Sequence, residues 1–217
     1  FALMRRYEYG IINVSEVNDT EKIPMNGVVA IASSTGGPKA LQSVIPRLPA
    51  DFPVPVLIVQ HMQAGFTKSL AERLNTLSAL TVKEAEEGEA LKKGYVYLAK
   101  AGMHMQVKKK PGAQYVIHYT DEPAREGVKP CANYLYESLA ETGFETIVCV
   151  VMTGMGADGR DGIRHLKQKK KVTVIAQEKS TCAVYGMPRS VVEANLADKT
   201  IPLEEIAGEI MISMGVM

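Results

Sequence analysis

Four short apolar runs constrain this chain more than anything else in it. VVAIA (Val28–Ala32), PVLIVQ (Pro55–Gln60), ETIVCVVM (Glu145–Met152) and VTVIAQ (Val172–Gln177) are close to continuously apolar, without the alternation of a half-exposed strand. A strand that is apolar on both sides must be covered on both sides, which is the condition of a parallel sheet flanked by helices. The covers can be read between the strands. PKALQSVIPRL carries Pro38 at a position suited to a first helical turn. Its Leu41, Val44, Ile45 and Leu48 recur at i, i+3, i+4, i+7. FTKSLAERLNTL places Phe66, Leu70, Leu74 and Leu77 on one predicted face. CANYLYESLAETG, a segment through Ile163 and Leu166, PRSVVEAN and PLEEIAGEIMISM are further predicted helices. Strands alternating with amphipathic helices predict an α/β fold with a mainly parallel sheet.

Two regions depart from that alternation. Residues 1–26 are poorly periodic and, with SEVNDTEK, read as a linker ahead of a domain spanning 27–217. Between about 81 and 120, TVKEAEEGE, GYVYLA, GMHMQV and QYVIHY alternate apolar and polar residues between Gly or Pro turns. These predict short antiparallel hairpins at an edge, inserted into the α/β domain.

Bulk properties exclude several classes of function. The chain has 217 residues, 46% of them hydrophobic, enough for one sizeable core. Its 25 Lys and Arg balance 24 Asp and Glu. The runs Lys108–Lys110 and Lys169–Lys171 lack interleaved aromatics, so no nucleic-acid partner is expected. Three cysteines (Cys131, Cys149 and Cys182) without a CxxC pair argue against a disulfide framework or a zinc site, and Cys149 reads as core. No apolar run reaches membrane-spanning length, and FALMRRYEYG does not resemble a signal peptide. A cytoplasmic protein is expected, with no membrane insertion. A first residue of Phe instead of Met fits a fragment that lacks an N-terminal domain.

The chemistry is expected where strands end, because ligands of open α/β sheets bind outside the carboxyl ends of the strands. Three polar features stand there: Ser33-Ser34, His61 and Asp158. A serine on a strand-to-helix elbow needs small residues at −2 and +2. Around Ser34 these are Ala32 and Gly36; around Ser33 they are the β-branched Ile31 and Thr35. Ser34 is therefore the candidate nucleophile. The alternative of a phosphate-cradling loop lacks both GxxxxGK[ST] and GxGxxG, and capping hydroxyls would explain the loop if it stood alone. His61 follows Ser34 by 27 positions, about one βαβ unit, whose length is on the order of 30 residues. Neighbouring strands could bring the two side chains together. His104, His118 and His165 are better read as packing or surface residues. Asp158 lies in TGMGADGRDG, where a metal is the alternative, but the calcium-loop pattern is missing. Asp161 suits a helix start. Asp158 is then the carboxylate that orients His61. The N–H groups of Thr35 and Met155 are candidate oxyanion donors. The chain order Ser, His, Asp differs from the α/β-hydrolase order.

The stretches IASSTGGPKAL, VQHMQAGFTKSLAERLN, VMTGMGADGRDG and IAQEKSTCAVYGMPRSV occur in that order between about 28 and 194. Together they resemble the catalytic domain of the CheB-type chemotaxis protein-glutamate methylesterases. The resemblance implies a doubly wound, three-layer α/β domain and carries a Ser-His-Asp triad onto Ser34, His61 and Asp158. It further implies hydrolysis of glutamate methyl esters on methyl-accepting chemotaxis receptors, deamidation of receptor glutamines, and no metal or organic cofactor. Its other implied partner is an N-terminal phospho-acceptor receiver domain. The contrasting reading is a receptor-binding module with weak or no turnover. The chain departs from the family where Gly is usual at Ala32, Pro-Pro at Gln63-Ala64, and Arg-Pro-Ser-Val-Asp at Lys129–Asn133. The last segment is expected to line or support the substrate approach and to affect substrate preference more than the triad.

Overall fold

The computed structural model describes residues 26–112 and 114–216; the segment read as a linker lies outside them except for Asn26. The elements alternate as expected. They run β1 (Gly27–Ser33), α1 (Gly37–Val44), β2 (Val56–Gln60), α2 (Phe66–Leu77), β3 (Thr81–Glu84) and β4 (Tyr95–Leu98). Next come β5 (His104–Lys109), β6 (Tyr115–Thr120), α3 (Ala132–Leu139), β7 (Thr146–Val151) and α4 (Arg160–Lys169). The chain closes with β8 (Thr173–Gln177), α5 (Met187–Glu193), β9 (Lys199–Ile201) and α6 (Leu203–Ser213). Seven strands form one sheet in the order β3-β4-β2-β1-β7-β8-β9, and every pair in it is parallel.

The four apolar runs are apolar because both faces of their strands are covered. Along β1, alternate residues enter opposite cores. Val29 and Ile31 pack with Leu41 and Val44 of α1, Leu70 and Leu74 of α2, and Ile206 and Ile210 of α6. Val28, Ala30 and Ala32 pack with Tyr136 of α3, Ile163 of α4 and Met187 of α5. Two apolar layers around one sheet make the doubly wound three-layer domain.

Two expectations are corrected, and one strand was not foreseen. Of the four stretches read as antiparallel hairpins, only β5 and β6 form one. β3 and β4 instead extend the parallel sheet, β4 pairing with β2. Tyr95 and Tyr97 gave YVYL its alternating look, yet Val96, Tyr97 and Leu98 are all fully buried. The Tyr97 hydroxyl donates to the carbonyl of Ala90 and accepts from the N–H of Lys92, so it can enter the core. On α2 the buried stripe is Thr67, Leu70, Ala71 and Leu74, while Phe66 and Leu77 are exposed. β9, three residues long, carries too short a pattern to be foreseen.

The strand order positions the site. β1 is flanked by β2, which follows it in sequence, and by β7, which comes much later. The winding reverses between β1 and β7. Loops diverge at that switch point and leave a crevice at the carboxyl edge.

Candidate active site

The register brings the first two candidate residues side by side. Ser33 pairs with Gln60 at the ends of β1 and β2, so Ser34 and His61 are the next residues outward on each strand. The N–H of His61 donates to the carbonyl of Ser33 at 3.0 Å, which fixes the two backbones together. On the other flank, the N–H of Ser34 donates to the carbonyl of Thr153 at 3.0 Å. The third residue arrives from the turn after β7. His61 Nε2 lies 2.7 Å from Asp158 Oδ2, in a pair whose side chains are 10% and 3% exposed. With Nε2–H donating to Asp158, Nδ1 is the nitrogen left to accept a proton. Its assignment is the reverse of the commoner arrangement, in which the carboxylate takes Nδ1. Among the described residues, no hydrogen bond joins the Ser34 hydroxyl to the imidazole.

The two adjacent serines are unlike in the fold. Ser33 is fully buried, and its hydroxyl donates to Gln60 Oε1 at 2.7 Å. Ser34 is half-buried. Ser34 does not hold a left-handed backbone, since Glu126 and Asn195 are the non-glycine residues with positive φ among those described. The left-handed position of the turn is taken by Gly36, at φ 83°. The need for small residues nonetheless holds. A Cβ on Gly36 would lie 2.6 Å from Ala183 Cβ, and one on Gly154 would lie 2.7 Å from Ser34 Cβ. The Gly-rich turn therefore packs directly on the serine. Met155 in that turn is exposed, as is Thr35, and neither N–H donates to a protein acceptor among the described residues. Beyond Met155 a groove of about 620 Å³ continues past Gly156, Arg160, Arg164 and Arg189.

Sequence reasoning missed the residues that hold this edge together. Gln60, 1% exposed, receives the Ser33 hydroxyl and donates from Nε2 to the carbonyls of Ser34 and His61, both at 2.9 Å. Gln177, fully buried, accepts the Thr153 N–H at 2.8 Å and donates to the carbonyl of Thr181. The signal was present, since an amide closing an apolar run ends up buried and must find partners. Replacing Gln60 with Leu strands the Ser33 hydroxyl and the His61 carbonyl, and leaves the Ser34 carbonyl with the Gly37 N–H alone. The expected loss is roughly 2 kcal/mol or more of stability, together with lower turnover, measured by denaturant unfolding and ester hydrolysis.

Asp158 is 2% exposed and surrounded by donors. Its Oδ1 accepts the Cys131 thiol at 2.9 Å and the N–H of Asn133 at 3.0 Å. Its Oδ2 accepts the N–H of Ala132 at 2.6 Å as well as His61. Burial works against ionisation of this carboxyl. The hydrogen bonds from His61, Cys131 and Ala132 outweigh it and hold the carboxyl below its ordinary range. Lys129–Asn133, expected at the substrate approach, is thus the segment that grips Asp158. The chain passes there from β6 into α3, and the N-terminus of α3 points its free N–H groups at the carboxylate. Cys131 is itself fully buried, and burial is the main cause that raises its thiol pKa. His104 acts one step behind. Fully buried, it accepts the Cys131 N–H at Nδ1 (3.1 Å) and donates from Nε2 to the carbonyl of Pro123 (3.1 Å). This is the packing role expected of it. His118 pairs with Glu87 on the hairpin, His165 lies on α4, and Asp161 sits in the first turn of α4.

A family model described as CheB methylesterase matches residues 29–210. The chain belongs to the CheB methylesterase family. A solved structure of the Thermotoga maritima CheB methylesterase catalytic domain superposes with a TM-score of 0.82 at 42% identity, over 85% of this chain and 97% of that one. Two curated relatives are named protein-glutamate methylesterase/protein-glutamine glutaminase. One, from Geobacillus kaustophilus, is 44% identical over 88% of this chain and 55% of its own length. The other, from Desulfitobacterium hafniense, is 48% identical over 85% of this chain and 47% of its own. This CheB-family chain thus spans about half the length of such relatives. Among its described residues, no helix is long and apolar enough to cross a membrane.

Proposed function

We propose that this domain is a serine hydrolase that removes methyl groups from glutamate methyl esters on the cytoplasmic part of chemoreceptors. By the same route it deamidates receptor glutamines. The observation that carries the reading is the buried His61–Asp158 pair, 2.7 Å apart, lying next along the sheet edge to a half-buried serine. The names of the curated relatives support the substrate class.

In this reading, Nδ1 of His61 takes the Ser34 proton as Oγ attacks the ester carbonyl. Asp158 stabilises the imidazolium through Nε2–H. The N–H groups of Thr35 and Met155 receive the oxyanion. The imidazolium proton passes to the departing methoxide and methanol leaves; from a glutamine, ammonia leaves. Water, deprotonated by Nδ1, attacks the glutamyl-enzyme. Ser34 Oγ departs, regains its proton from His61, and a glutamate is released. Every charge that develops is met by a side chain or backbone dipole already in the site, so the proposed scheme uses no metal or organic cofactor. The reaction takes place in the cytoplasm, and the phospho-acceptor receiver domain implied by the family resemblance is the regulatory partner. Residues 27–217 constitute the catalytic unit, preceded by a linker.

The test is methanol release from a methylated receptor cytoplasmic fragment, before and after treatment with a serine-reactive phosphonate. We expect one adduct, on Ser34, and loss of release in proportion to it. Undiminished release with Ser34 fully modified would overturn the triad. Neither release nor adduct would favour the binding-module reading.

A further inference from the structure

Neither α3 nor α4 is capped by its own N-terminal side chain. The first N–H groups of a helix have no partner within it and require one from elsewhere. Here each helix is capped by a residue that precedes or opens the other. Asp158, in the turn before α4, accepts the N–H groups of Ala132 and Asn133 at the start of α3. Asn133, in the first turn of α3, returns the contact. Its Oδ1 accepts the N–H of Gly159 at 3.1 Å and of Gly162 at 2.7 Å at the start of α4. Gly159 is the N-cap of α4, and the Gly162 N–H lies three residues further on, where a capping oxygen normally reaches.

The exchange depends on close approach. A Cβ on Gly162 would lie 2.7 Å from both Cα and the carbonyl oxygen of Asn133, so α4 meets α3 at backbone contact. Asn133 is fully buried, and its amide nitrogen donates to Glu126 Oε1 at 2.8 Å. Glu126 holds a left-handed backbone, φ 55°, in the turn ahead of α3. The side-chain oxygen of Asn133 therefore links the two ends of the Asp158 environment. It anchors the turn that carries the carboxylate to the helix whose N–H groups grip it.

We propose that Asn133 is a positioning residue for the hydrolysis, acting through this reciprocal cap on Asp158 and hence on His61. The proposal rests on the triad reading above. The feature it needs from residue 133 is a buried oxygen acceptor, not a charge. Losing that acceptor frees the turn at Gly159–Gly162 and lets Asp158 shift relative to the imidazole. A displacement on the order of 1 Å can lower turnover by about a hundredfold.

The experiment compares wild type, Asn133→Ala, Asn133→Asp and Gly162→Ala in methanol release, each assayed well below its own melting temperature. We expect Asn133→Ala to lower kcat by at least about tenfold with KM within about twofold. Asn133→Asp, which keeps the acceptor, should return kcat to within about threefold of wild type. A merely structural role would lower the melting temperature and leave kcat of the folded protein unchanged. That result for Asn133→Ala would overturn the proposal, as would an effect confined to KM, or Asn133→Asp being as impaired as Asn133→Ala. If Asn133→Ala does not fold, Gly162→Ala decides, because its Cβ pushes α4 off the cap. A fall in kcat at constant KM supports the pin, and an unchanged kcat refutes it. Ser34→Ala, run in parallel, separates the two readings. Full activity there sinks the triad whatever residue 133 does. If Ser34→Ala is inactive, equal kcat across the residue 133 and 162 variants sinks the cap alone.

Discussion

Ser34→Ala is expected to lower methanol release by a factor on the order of 10⁴ or more, whereas Ser33→Ala should leave a folded enzyme with measurable turnover. The contrast follows from where each hydroxyl points its one proton. The Ser33 hydroxyl is buried and donates to Gln60 Oε1. Removing it leaves that oxygen without its donor, at a cost of about 1–3 kcal/mol. Gln60 Nε2 still holds the carbonyls of Ser34 and His61, so the sheet edge keeps its shape. Ser34 is half-buried and hydrogen-bonded through its backbone to Thr153, so its methylene and backbone sustain the turn without Oγ. Alanine should therefore remove chemistry and little stability. Removal of a serine nucleophile eliminates the covalent route and leaves only what the oxyanion donors and binding contribute. Steady-state methanol release and thermal melting, measured on both variants, separate the two serines. Substantial activity in Ser34→Ala together with loss in Ser33→Ala would reverse the assignment.

How much of this was legible beforehand depends on how local each signal is. The parallel sheet was, because burial on both faces leaves a continuous apolar run that no alternating strand shares. That His61 sits beside Ser34 was legible from one βαβ spacing, and that Asp158 comes to the same sheet edge, from the place of TGMGADGRDG after a buried strand. Ser34 was selected from its small neighbours, yet it does not itself take the left-handed position of the turn. The turn takes its left-handed residue at Gly36, and the smallness is demanded by Ala183 and Thr153, far along the chain. The grip of Cys131, Ala132 and Asn133 on Asp158 could not be read off. It exists only because α3 and α4 pack N-terminus to N-terminus across 25 residues or more of chain. β4 failed for a different reason: a tyrosine whose hydroxyl finds partners in the core looks, in sequence, like a polar outward residue.

Asp158→Asn is expected to lower kcat on the order of 10⁴-fold and to destabilise the fold by about 2–4 kcal/mol. Both effects come from a single exchange of oxygen for an amide nitrogen. The carboxylate meets four donors: the Cys131 thiol and the Asn133 N–H at Oδ1, and the Ala132 N–H and His61 at Oδ2. An amide can accept on one side only: with NH₂ in place of Oδ1 it faces the Asn133 N–H and the Cys131 thiol, and in place of Oδ2 it faces the Ala132 N–H and the imidazole N–H. In either orientation one N–H at the start of α3 loses its acceptor in a site 2% exposed, and hydrogen bonds to a buried charged group are worth about 1.5–3 kcal/mol each. If the NH₂ faces His61, the ring must present Nε2 as an acceptor, which moves its proton to Nδ1 and removes the base; the wrong tautomer accounts for a loss of that order. The stability difference also has a pH signature. The carboxyl of Asp158 titrates below its ordinary range when folded, and the unfolded chain restores it to about 3.9. Over that interval the unfolded state binds the extra proton, so stability rises with pH. The contribution of Asp158 is complete above pH about 4 and is lost as pH falls through the lowered native value. Denaturant unfolding from pH about 2 to 7 should therefore show wild type and Asp158→Asn farthest apart at neutral pH and converging in acid. A gap that stayed constant down to the lowest pH would mean that the ionised carboxylate is not what holds α3 to this turn.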